Sequence, residues 1–447
     1  MRIRRSLALC LALFATRTLA QSTQPDAVHG FITAYIARNK IPGVAVMVRK
    51  DGKVVRAEGH GMADVEHRVP VKPETVFQSG SMGKQFTAMA VMTLVAEHKP
   101  ELDDPMGKYL AVPSTWKGIT VRHLLTHTSG LGDYPAEFSL QKDYTEDELF
   151  KIIAEKPLQF APGEKWSYSN LGYVTLGILI HKVSGKFYGD LLRERVFGPL
   201  GMTRTRIISE ADIIADRAAG YRMKDGEIKN QEWVSPTLNT TADGSLYFTV
   251  LDLAKWDAAL EQEKIVSHAS YEQMWSPVKL NNGTTAPYGF AWGIQKAPNG
   301  HRLLEHGGAW QGFTSYIARY PDDRLTVVVL CNMAGAAPGF IAHRVAGMYD
   351  STLMPPAHKP VKLDPAKVKP YEGVYQLEED KISFKLVGSE GRIQVTIGAQ
   401  KRELVPESET DFFEEDSDRT YHFVRKGGKV IAVEIAVPEK IVFKKIE

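Results

Sequence analysis

Cysteine is almost absent from this chain of 447 residues, which contains only Cys10 and Cys331. Cys10 falls in an N-terminal segment that we predict to be cleaved, so the mature chain would hold one thiol. An intramolecular disulfide is then impossible, and a disulfide scaffold is excluded. Cys331 follows the apolar run 325–330, and this position predicts a buried, unreactive strand residue.

A large excess of charge is also missing. The chain has 55 Lys and Arg against 53 Asp and Glu, a formal net charge of +2, so nothing indicates a nucleic-acid partner. The histidines are scattered and no His-Glu-x-x-His motif occurs, so we predict neither a metal site nor a cofactor. Internal repeats and low-complexity segments are absent too, and the length predicts two domains.

Residues 1–20 have the organisation of a secretory signal peptide. A basic start at residues 1–5 precedes an apolar stretch at 6–15, and Thr18-Leu19-Ala20 offers small residues for cleavage. The apolar stretch is too short to span a bilayer, so we predict no stable membrane anchor. We therefore expect a periplasmic or secreted protein.

The hydrophobic pattern predicts an α+β fold for residues 21–350. A helix begins after Asp26, and residues 43–61 form a hairpin around Asp51-Gly52. Residues from about 100 to 280 are mostly helical, including a helix from Thr120 to Gly130. Strand-like runs return at 288–294, 312–320 and 325–331. This order indicates an antiparallel sheet flanked by helices, built from both ends of the segment, with a helical lobe inserted between them.

The remaining residues predict a second, all-β domain. Residues 351–370 contain five prolines and are predicted to be a linker. Residues 371–447 contain six to eight short strand-like runs, with Gly427-Gly428 as a hairpin turn. The runs are 373–376, 382–387, 392–397, 412–413, 421–425, 430–437 and 441–444. Such a pattern is typical of a small barrel or sandwich.

The most informative pair of residues is Ser81 and Lys84. They precede the apolar run 86–96, which predicts a buried helix that Ser81 opens. Residues three apart share one helix face, so the amine would point at the hydroxyl. A lysine whose pKa is lowered by burial can accept the serine proton. A second Ser-x-x-Lys begins at Ser276, but proline follows it and a surface turn is predicted there.

Two further motifs lie in polar turns. In Tyr168-Ser169-Asn170, the tyrosine can move a proton and the asparagine can bind an amide. Taken alone, they are more ordinarily a packed tyrosine and a helix cap. In His306-Gly307-Gly308-Ala309, the glycines allow a ligand to approach closely, and the motif is predicted to be a turn before the strand at 312–320.

These three motifs, in this order, resemble those of the penicillin-recognising serine hydrolases. The group includes class C β-lactamases, D-alanyl-D-alanine carboxypeptidases and D-aminopeptidases. The resemblance spans residues 25 to about 345, and other matching stretches are 124–131, 199–202, 244–246, 252–256 and 288–293. Residues 371–375 resemble the opening of the lipocalin-like barrel that often follows such domains.

The resemblance implies a role for each matching position. Ser81 would be the acylated nucleophile, Lys84 the base or the charge that activates it, and Tyr168 the carrier of the proton to the leaving group. Substrate-binding residues would be Asn170, His306 and Gly308. The backbone N–H groups of Ser81 and Ala309 would form the oxyanion hole.

The motifs depart from those of β-lactamases proper at one position. His306 stands where those enzymes usually have lysine, and a neutral imidazole is a weaker anchor for a carboxylate. The difference favours peptidases and esterases of the group. His127 and Ser129, at the end of the predicted helix, are interpreted as packing and capping residues.

We therefore predict an acyl-enzyme serine hydrolase that acts on small-molecule or peptide substrates, particularly D-residue peptides. Oligomeric state and the ligand of the barrel are left open by the sequence. One alternative is a promiscuous short-chain carboxylesterase with weak β-lactamase activity. Another is a penicillin-binding receptor that is acylated without turnover. The three intact motifs argue against a non-enzymatic scaffold.

Overall fold

The computed structural model describes residues 26–135, 138–207, 212–238, 241–377, 383–397, 400–437 and 439–447. The predicted signal peptide, with Cys10, lies outside these residues. Within the described ranges, no helix combines the length and apolar character needed to cross a bilayer.

A seven-stranded antiparallel sheet forms the centre of the first domain. The strands in chain order are β1 (Gly43–Lys50), β2 (Lys53–Asp64), β3 (Val69–Pro70), β4 (Phe77–Gln78), β5 (Tyr221–Lys224), β6 (Glu227–Asn230), β7 (Tyr247–Phe248), β8 (Val278–Lys279), β9 (Thr285–Ala286), β10 (Gly293–Lys296), β11 (Arg302–Trp310), β12 (Phe313–Tyr320) and β13 (Leu325–Cys331). Seven of these strands form the main sheet, in the order β10-β11-β12-β13-β1-β2-β3. Because β1 pairs with β13, the two ends of the domain share one sheet, and the predicted α+β fold is confirmed.

Helices cover both faces of this sheet. The helices of this domain are α1 (Ala27–Arg38), α2 (Lys84–Ala96), α3 (Val121–Leu125), α4 (Glu146–Glu155), α5 (Asn170–Ser184), α6 (Tyr188–Leu192), α7 (Val250–Glu261), α8 (His268–Met274) and α9 (Pro338–Tyr349), and the short α10 (Pro365–Val368) packs on the barrel instead. Side chains of a strand alternate between faces. Accordingly, Val44 and Val46 pack with α1 and α9, whereas Ala45 and Met47 pack with α2 and the helical lobe.

Local sequence signals explain several boundaries. Asp26 caps α1, because its carboxylate accepts from the backbone N–H of Val28 at 3.0 Å. Asp51 and Gly52 both have positive φ, as the turn of a tight hairpin requires. The helix predicted from Thr120 to Gly130 ends at Leu125 instead.

His127 accounts for this early end. Its backbone is left-handed, with φ 57°, and a ring nitrogen accepts from the N–H of Ser169 at 3.1 Å. A continued helix would not allow this backbone conformation. The residue therefore leaves the helix to meet a segment 42 positions further along the chain.

The second domain is a closed barrel of eight antiparallel strands. They are β14 (Gly373–Gln376), β15 (Ser383–Ser389), β16 (Arg392–Ile397), β17 (Gln400–Pro406), β18 (Asp411–Glu414), β19 (Thr420–Lys426), β20 (Lys429–Val437) and β21 (Glu439–Lys445). Because β14 pairs with β21, the barrel closes, and no edge strand is left to pair with another chain. The sequence pattern missed β17, where Lys401, Arg402 and Glu403 interrupt the apolar alternation.

Residues 351–370, the predicted linker, leave the first domain, where Leu353 is buried in the core beside α9, and then run along the barrel. They include the 3-10 turn Ser351–Leu353 and α10. The N–H of Val361 donates to the carbonyl of Pro406 at 2.9 Å, and the ring of His358 stacks on Phe413 with centroids 4.2 Å apart. These contacts hold the segment against the second domain.

A buried carboxylate joins α7 to the sheet. Asp257 accepts from Arg49 of β1 at 2.9 Å, from Arg319 of β12 at 2.6 Å and from Thr326 of β13 at 2.9 Å. The carboxylate and both guanidinium groups are almost fully buried. Removal of the acid would leave two buried cations without their shared counter-ion.

We predict that Asp257→Ala lowers the free energy of unfolding of this domain by roughly 3–5 kcal/mol, because breaking a buried ion pair leaves an uncompensated charge. Urea unfolding followed by tryptophan fluorescence measures this, since all 7 tryptophans lie in the first domain. The control is Asp190→Ala, which removes an exposed ion pair with Arg193 and should cost less than about 1 kcal/mol. Equal losses for the two variants would contradict the prediction.

Candidate active site

Two glycines bring Ser81 next to β11. Ser81 lies in the 3-10 turn Gly80–Gly83, and α2 begins only at Lys84, three residues later than predicted. A Cβ on Gly80 would lie 2.5 Å from the backbone nitrogen of Ala309, and Gly80 has φ 53°. A Cβ on Gly308 would lie 2.0 Å from the carbonyl oxygen of Ser79. Larger residues at either position would push the turn away from the strand.

His306 and Gly308 lie within β11 itself, which corrects the predicted turn before the next strand. Their strand pairs with β12 from Leu304 to Trp310, but its pairing with β10 ends at Glu305. One edge of β11 is therefore open to the turn that carries Ser81. The glycines were expected to allow a ligand to approach closely, and in the structure Gly308 also permits close approach of this turn.

Lys84 is fully buried beneath Ser81. Its Nζ lies 3.0 Å from Ser81 Oγ and 2.7 Å from Asn170 Oδ1, and it also donates to the backbone carbonyl of Asp243. Burial lowers the pKa of Lys84 to about 8, although Asp243 and Asp133 partly oppose the effect. The amine is therefore mostly protonated at pH 7, but roughly one tenth of it is neutral.

The partners of Lys84 decide where its lone pair points. The amide nitrogen of Asn170 donates to Asp133 Oδ2 at 2.9 Å, so its oxygen must face the lysine. The Asp243 carbonyl can only accept a hydrogen bond as well. In the neutral amine both N–H groups are thus directed to these two acceptors, and the lone pair faces the hydroxyl of Ser81. This arrangement suits proton transfer from serine to lysine.

Aromatic rings surround the amine. Nζ of Lys84 lies 5.0 Å from the centre of the Tyr168 ring and 5.6 Å from that of Tyr173. The ring of His127 lies against Tyr168, with centroids 4.2 Å apart. His127, interpreted from sequence as a packing residue, is thus part of the floor under the tyrosine.

A hydrogen-bonded chain connects His127 to His306 through Tyr288. His127 Nδ1 accepts from Ser169, so its Nε2 carries the proton and lies 3.3 Å from Tyr288 Oη. The Tyr288 hydroxyl lies 2.8 Å from His306 Nε2, and His306 Nδ1 donates to the Gly307 carbonyl at 2.6 Å. Because both ends are set by backbone groups, every proton in the chain has one consistent position.

Both histidines are held neutral. Burial, reinforced by the nearby Lys84, lowers the pKa of His306 to about 4. The same two causes hold the pKa of His127 well below its ordinary value of 6.5. His306 therefore offers a substrate hydrogen-bonding atoms but no positive charge at neutral pH.

Two cavities meet at Ser81 and Ala309. The first, of about 290 Å³, is also lined by Asn170 and Asp243 and by the aromatic and aliphatic side chains of Tyr134, Phe138, Leu140 and Trp310. The second, of about 430 Å³, is also lined by Tyr168, His306 and Gly308. The structure thus gathers every predicted site residue, with Lys84 buried at the junction.

A possible metal-ligand cluster lies elsewhere among the described residues. Ligand atoms of His29, Glu58 and His60 lie within 4.8 Å of one another, on α1 and β2. Glu58 already accepts from Arg56 at 2.8 Å, and a guanidinium at this distance opposes a cation. None of these side chains lines either cavity at Ser81.

Sequence reasoning missed the contributions of Asp133, Asp243 and Tyr288. His127 and Tyr288 belong to stretches that carry the family resemblance. The resemblance was therefore a signal for both residues, but it assigned no role to either. The carbonyl of Asp243 leaves no signal, because any residue can supply a backbone oxygen. Only the folded chain reveals which backbone group reaches the lysine.

The sheet, the helical lobe and this serine–lysine pair define a β-lactamase-like protein. The chain belongs to the beta-lactamase family, whose sequence profile matches residues 28–349. The barrel that follows lies outside the matched residues.

Comparisons with individual proteins agree with this family. Penicillin-binding protein 4* of Bacillus subtilis is 32% identical over 82% of this chain and 87% of its own length. A D-aminopeptidase of Gluconobacter oxydans is 30% identical over 68% of this chain, which spans only 58% of that protein. The octameric penicillin-binding protein homologue from Pyrococcus abyssi superimposes with TM-score 0.69 and 29% identity, covering 93% of this chain and 99% of that one.

We predict that Tyr288→Phe raises the pKa of His306 above about 4, because the neutral ring loses the hydroxyl that donates to its Nε2, while burial and Lys84 still hold the pKa below the ordinary value of 6.5. A pH titration of ¹³C-labelled histidines by NMR measures this, with the signal assigned through His306→Asn. Tyr271→Phe is the control, since Tyr271 is a buried tyrosine whose hydroxyl contacts the N–H of Ile265. An unchanged titration in Tyr288→Phe would show that the chain does not set the state of His306.

Proposed function

We propose that this protein is a serine hydrolase that forms an acyl-enzyme on Ser81 and cleaves small amide or ester bonds, particularly those of D-amino-acid amides and peptides. The observation that carries the proposal is the 3.0 Å contact between Lys84 Nζ and Ser81 Oγ, with the other two partners of the amine both acceptors. A serine hydroxyl needs such a base to become a nucleophile.

In the acylation step, Ser81 Oγ attacks the substrate carbonyl and its proton passes to Lys84 Nζ. The carbonyl oxygen becomes an oxyanion beside the backbone N–H groups of Ser81 and Ala309, which line both cavities. Tyr168 delivers a proton to the leaving group as the scissile bond breaks. The products of this step are the acyl ester of Ser81 and the protonated leaving group.

In the deacylation step, water attacks the acyl ester from the space that the leaving group has vacated. Tyr168 lines that cavity and accepts the proton of the water, and Lys84 returns a proton to Ser81. The free acid and the original hydroxyl are restored. Slow deacylation would convert the same site into a penicillin-binding receptor.

The choice of substrate follows the relatives and the smaller cavity. A D-aminopeptidase is among the relatives, and the 290 Å³ cavity has apolar walls that suit an acyl group with an apolar side chain. Rates on a D-alanine anilide, a short nitrophenyl ester and a cephalosporin separate the alternatives. Hydrolysis of the ester alone would favour the carboxylesterase, and a persistent acyl adduct in intact-mass spectra would favour the receptor.

We also propose that the protein acts outside the cytoplasm. The basis is the signal-peptide pattern of residues 1–20. Mass determination of the N-terminus of protein isolated from its native host tests this proposal, and a chain that retains residue 1 would contradict it.

We predict that Ser81→Ala abolishes covalent labelling by a fluorophosphonate and hydrolysis of every substrate that the wild type cleaves, because no acyl ester can form. The matched control is Ser276→Ala, which removes the serine of the other Ser-x-x-Lys; its hydroxyl is bonded to the carbonyl of Glu272 on the surface. Labelling should be undiminished in this control. Undiminished labelling of Ser81→Ala would refute the assignment.

We predict that kcat/KM rises with pH and levels off above about 8, because Lys84 must lose its proton to act as the base. At pH 7 roughly one tenth of the enzyme would carry the neutral amine. His306 titrates near pH 4, so this limb belongs to the lysine. Lys84→Arg keeps its proton and should lose at least about 100-fold in rate at every pH. A flat profile between pH 6 and 9 would contradict this role for Lys84.

A further inference from the structure

The barrel forms one wall of the larger cavity at Ser81. Besides Tyr168 and His306, this cavity is lined by four residues of the second domain: Arg402, Ser417, Asp418 and Arg419. Arg402 lies on β17, and the other three lie on the loop between β18 and β19. Residues of the barrel therefore line part of the space that a substrate would fill.

Ion pairs hold this loop, residues 415–419, against the first domain. Asp416 accepts from Arg38 Nε at 2.6 Å and from the amide of Asn39 at 3.1 Å, and its carbonyl accepts from Tyr35 at 2.9 Å. The loop is thus docked on α1 at one end. Its position beside the cavity is defined by several short contacts.

His343 of α9 fastens the other end of the loop. Its ring contacts Asp418 at 2.8 Å and Glu305 of β11 at 3.0 Å. Burial alone would lower the pKa of His343, but the two carboxylates raise it to about 10. The imidazolium therefore binds Asp418 and Glu305 at the same time, next to His306 on β11.

The two arginines share a single acid. Arg402 lies 2.6 Å from one oxygen of the buried Glu414, whereas Arg419 lies 3.7 Å from the other, beyond hydrogen-bond distance. With His343, Asp418 and Glu305 included, the positive and negative charges at this end of the cavity are equal in number, but among the described residues no acid lies within hydrogen-bond distance of the Arg419 guanidinium. A guanidinium binds a carboxylate through paired hydrogen bonds.

The same cavity would receive the leaving group. On the proposed function, Tyr168 protonates the leaving group, and Tyr168 lines only this cavity. Asn170 lines only the smaller cavity, where the acyl part would lie. A group at the far end of the leaving group would therefore meet the barrel, while the neutral His306 supplies no charge to bind it.

We propose that Arg419, supported by Arg402, forms a subsite of the barrel for a carboxylate on the leaving group. This inference rests on the proposed function, and it narrows the substrate class. The preferred substrates would be amides or esters that release an acidic fragment, such as the C-terminal residue of a short peptide. The barrel thereby selects substrates for the first domain.

Two pairs of substrates test the subsite, and the two members of each pair differ only in this charge. One pair is N-acetyl-D-alanyl-D-alanine and its C-terminal amide, and the other is 4-carboxyphenyl acetate and 4-carbamoylphenyl acetate. For each enzyme the readout is the ratio of kcat/KM for the acid to kcat/KM for the neutral partner. Because both rates come from one preparation, partial unfolding of a variant cancels in the ratio.

In Arg419→Gln we expect this ratio to fall roughly tenfold to hundredfold, as the loss of a charge-assisted hydrogen bond predicts. Arg419→Lys should retain part of it. The control Arg392→Gln removes an arginine of the same barrel that is paired with Glu403 on the surface, and its ratio should equal that of the wild type. Succinate esters, which carry the acid on the acyl side, should not respond to Arg419.

The other outcomes are decisive as well. An unchanged ratio in Arg419→Gln would overturn the subsite and leave the serine hydrolase in place. Failure of the wild type to cleave any of the four substrates through Ser81 would overturn the proposed function, and the subsite with it. Cleavage of the ester pair alone would still measure the ratio, while favouring the carboxylesterase.

Discussion

The burial of one amine is the constraint on which the site depends. Lys84 can lie in the interior only if nearby oxygens replace the water that it loses. Ser81 is its neighbour along the chain, but Asn170 Oδ1 is 86 residues away and the Asp243 carbonyl is 159 residues away. The helical lobe must therefore fold back onto α2 to supply them. The burial of Lys84 therefore requires the folded lobe, and the same burial lowers the pKa of the amine.

The open edge of β11 is the second constraint. Gly80 and Gly308 leave no room for side chains between the strand and the turn, and this contact aligns the backbone of Ser81 with that of Ala309. The hydrogen-bonded chain of His127, Tyr288 and His306 then lines the adjacent part of the site with neutral groups. A neutral wall preserves the low pKa of Lys84, because it adds neither an anion that would retain the proton nor a cation that would compete for substrate.

The two domains differ in what they bring to the cavity. The first domain supplies the serine–lysine pair, at the start of α2, and a neutral imidazole on β11. The barrel supplies arginines on β17 and on a loop that is anchored through Asp416 and Asp418. On our proposal, chemistry and charge selection are thus divided between domains. The imidazolium of His343 connects them, because it binds Glu305 and Asp418 at the same time.

The sequence by itself determined the α+β class, the all-β second domain and the motif around Ser81, because periodicity and short spacings are local properties that survive without coordinates. It did not determine that α3 ends at Leu125, that β17 exists or that His306 lies inside a strand, since contacts with distant segments override local preference there. Only the tertiary structure decided that Asp243, Tyr288 and Arg419 belong to the site. Burial, pKa and the reach of a barrel loop arise from packing between residues far apart in the chain, and no local pattern encodes that packing.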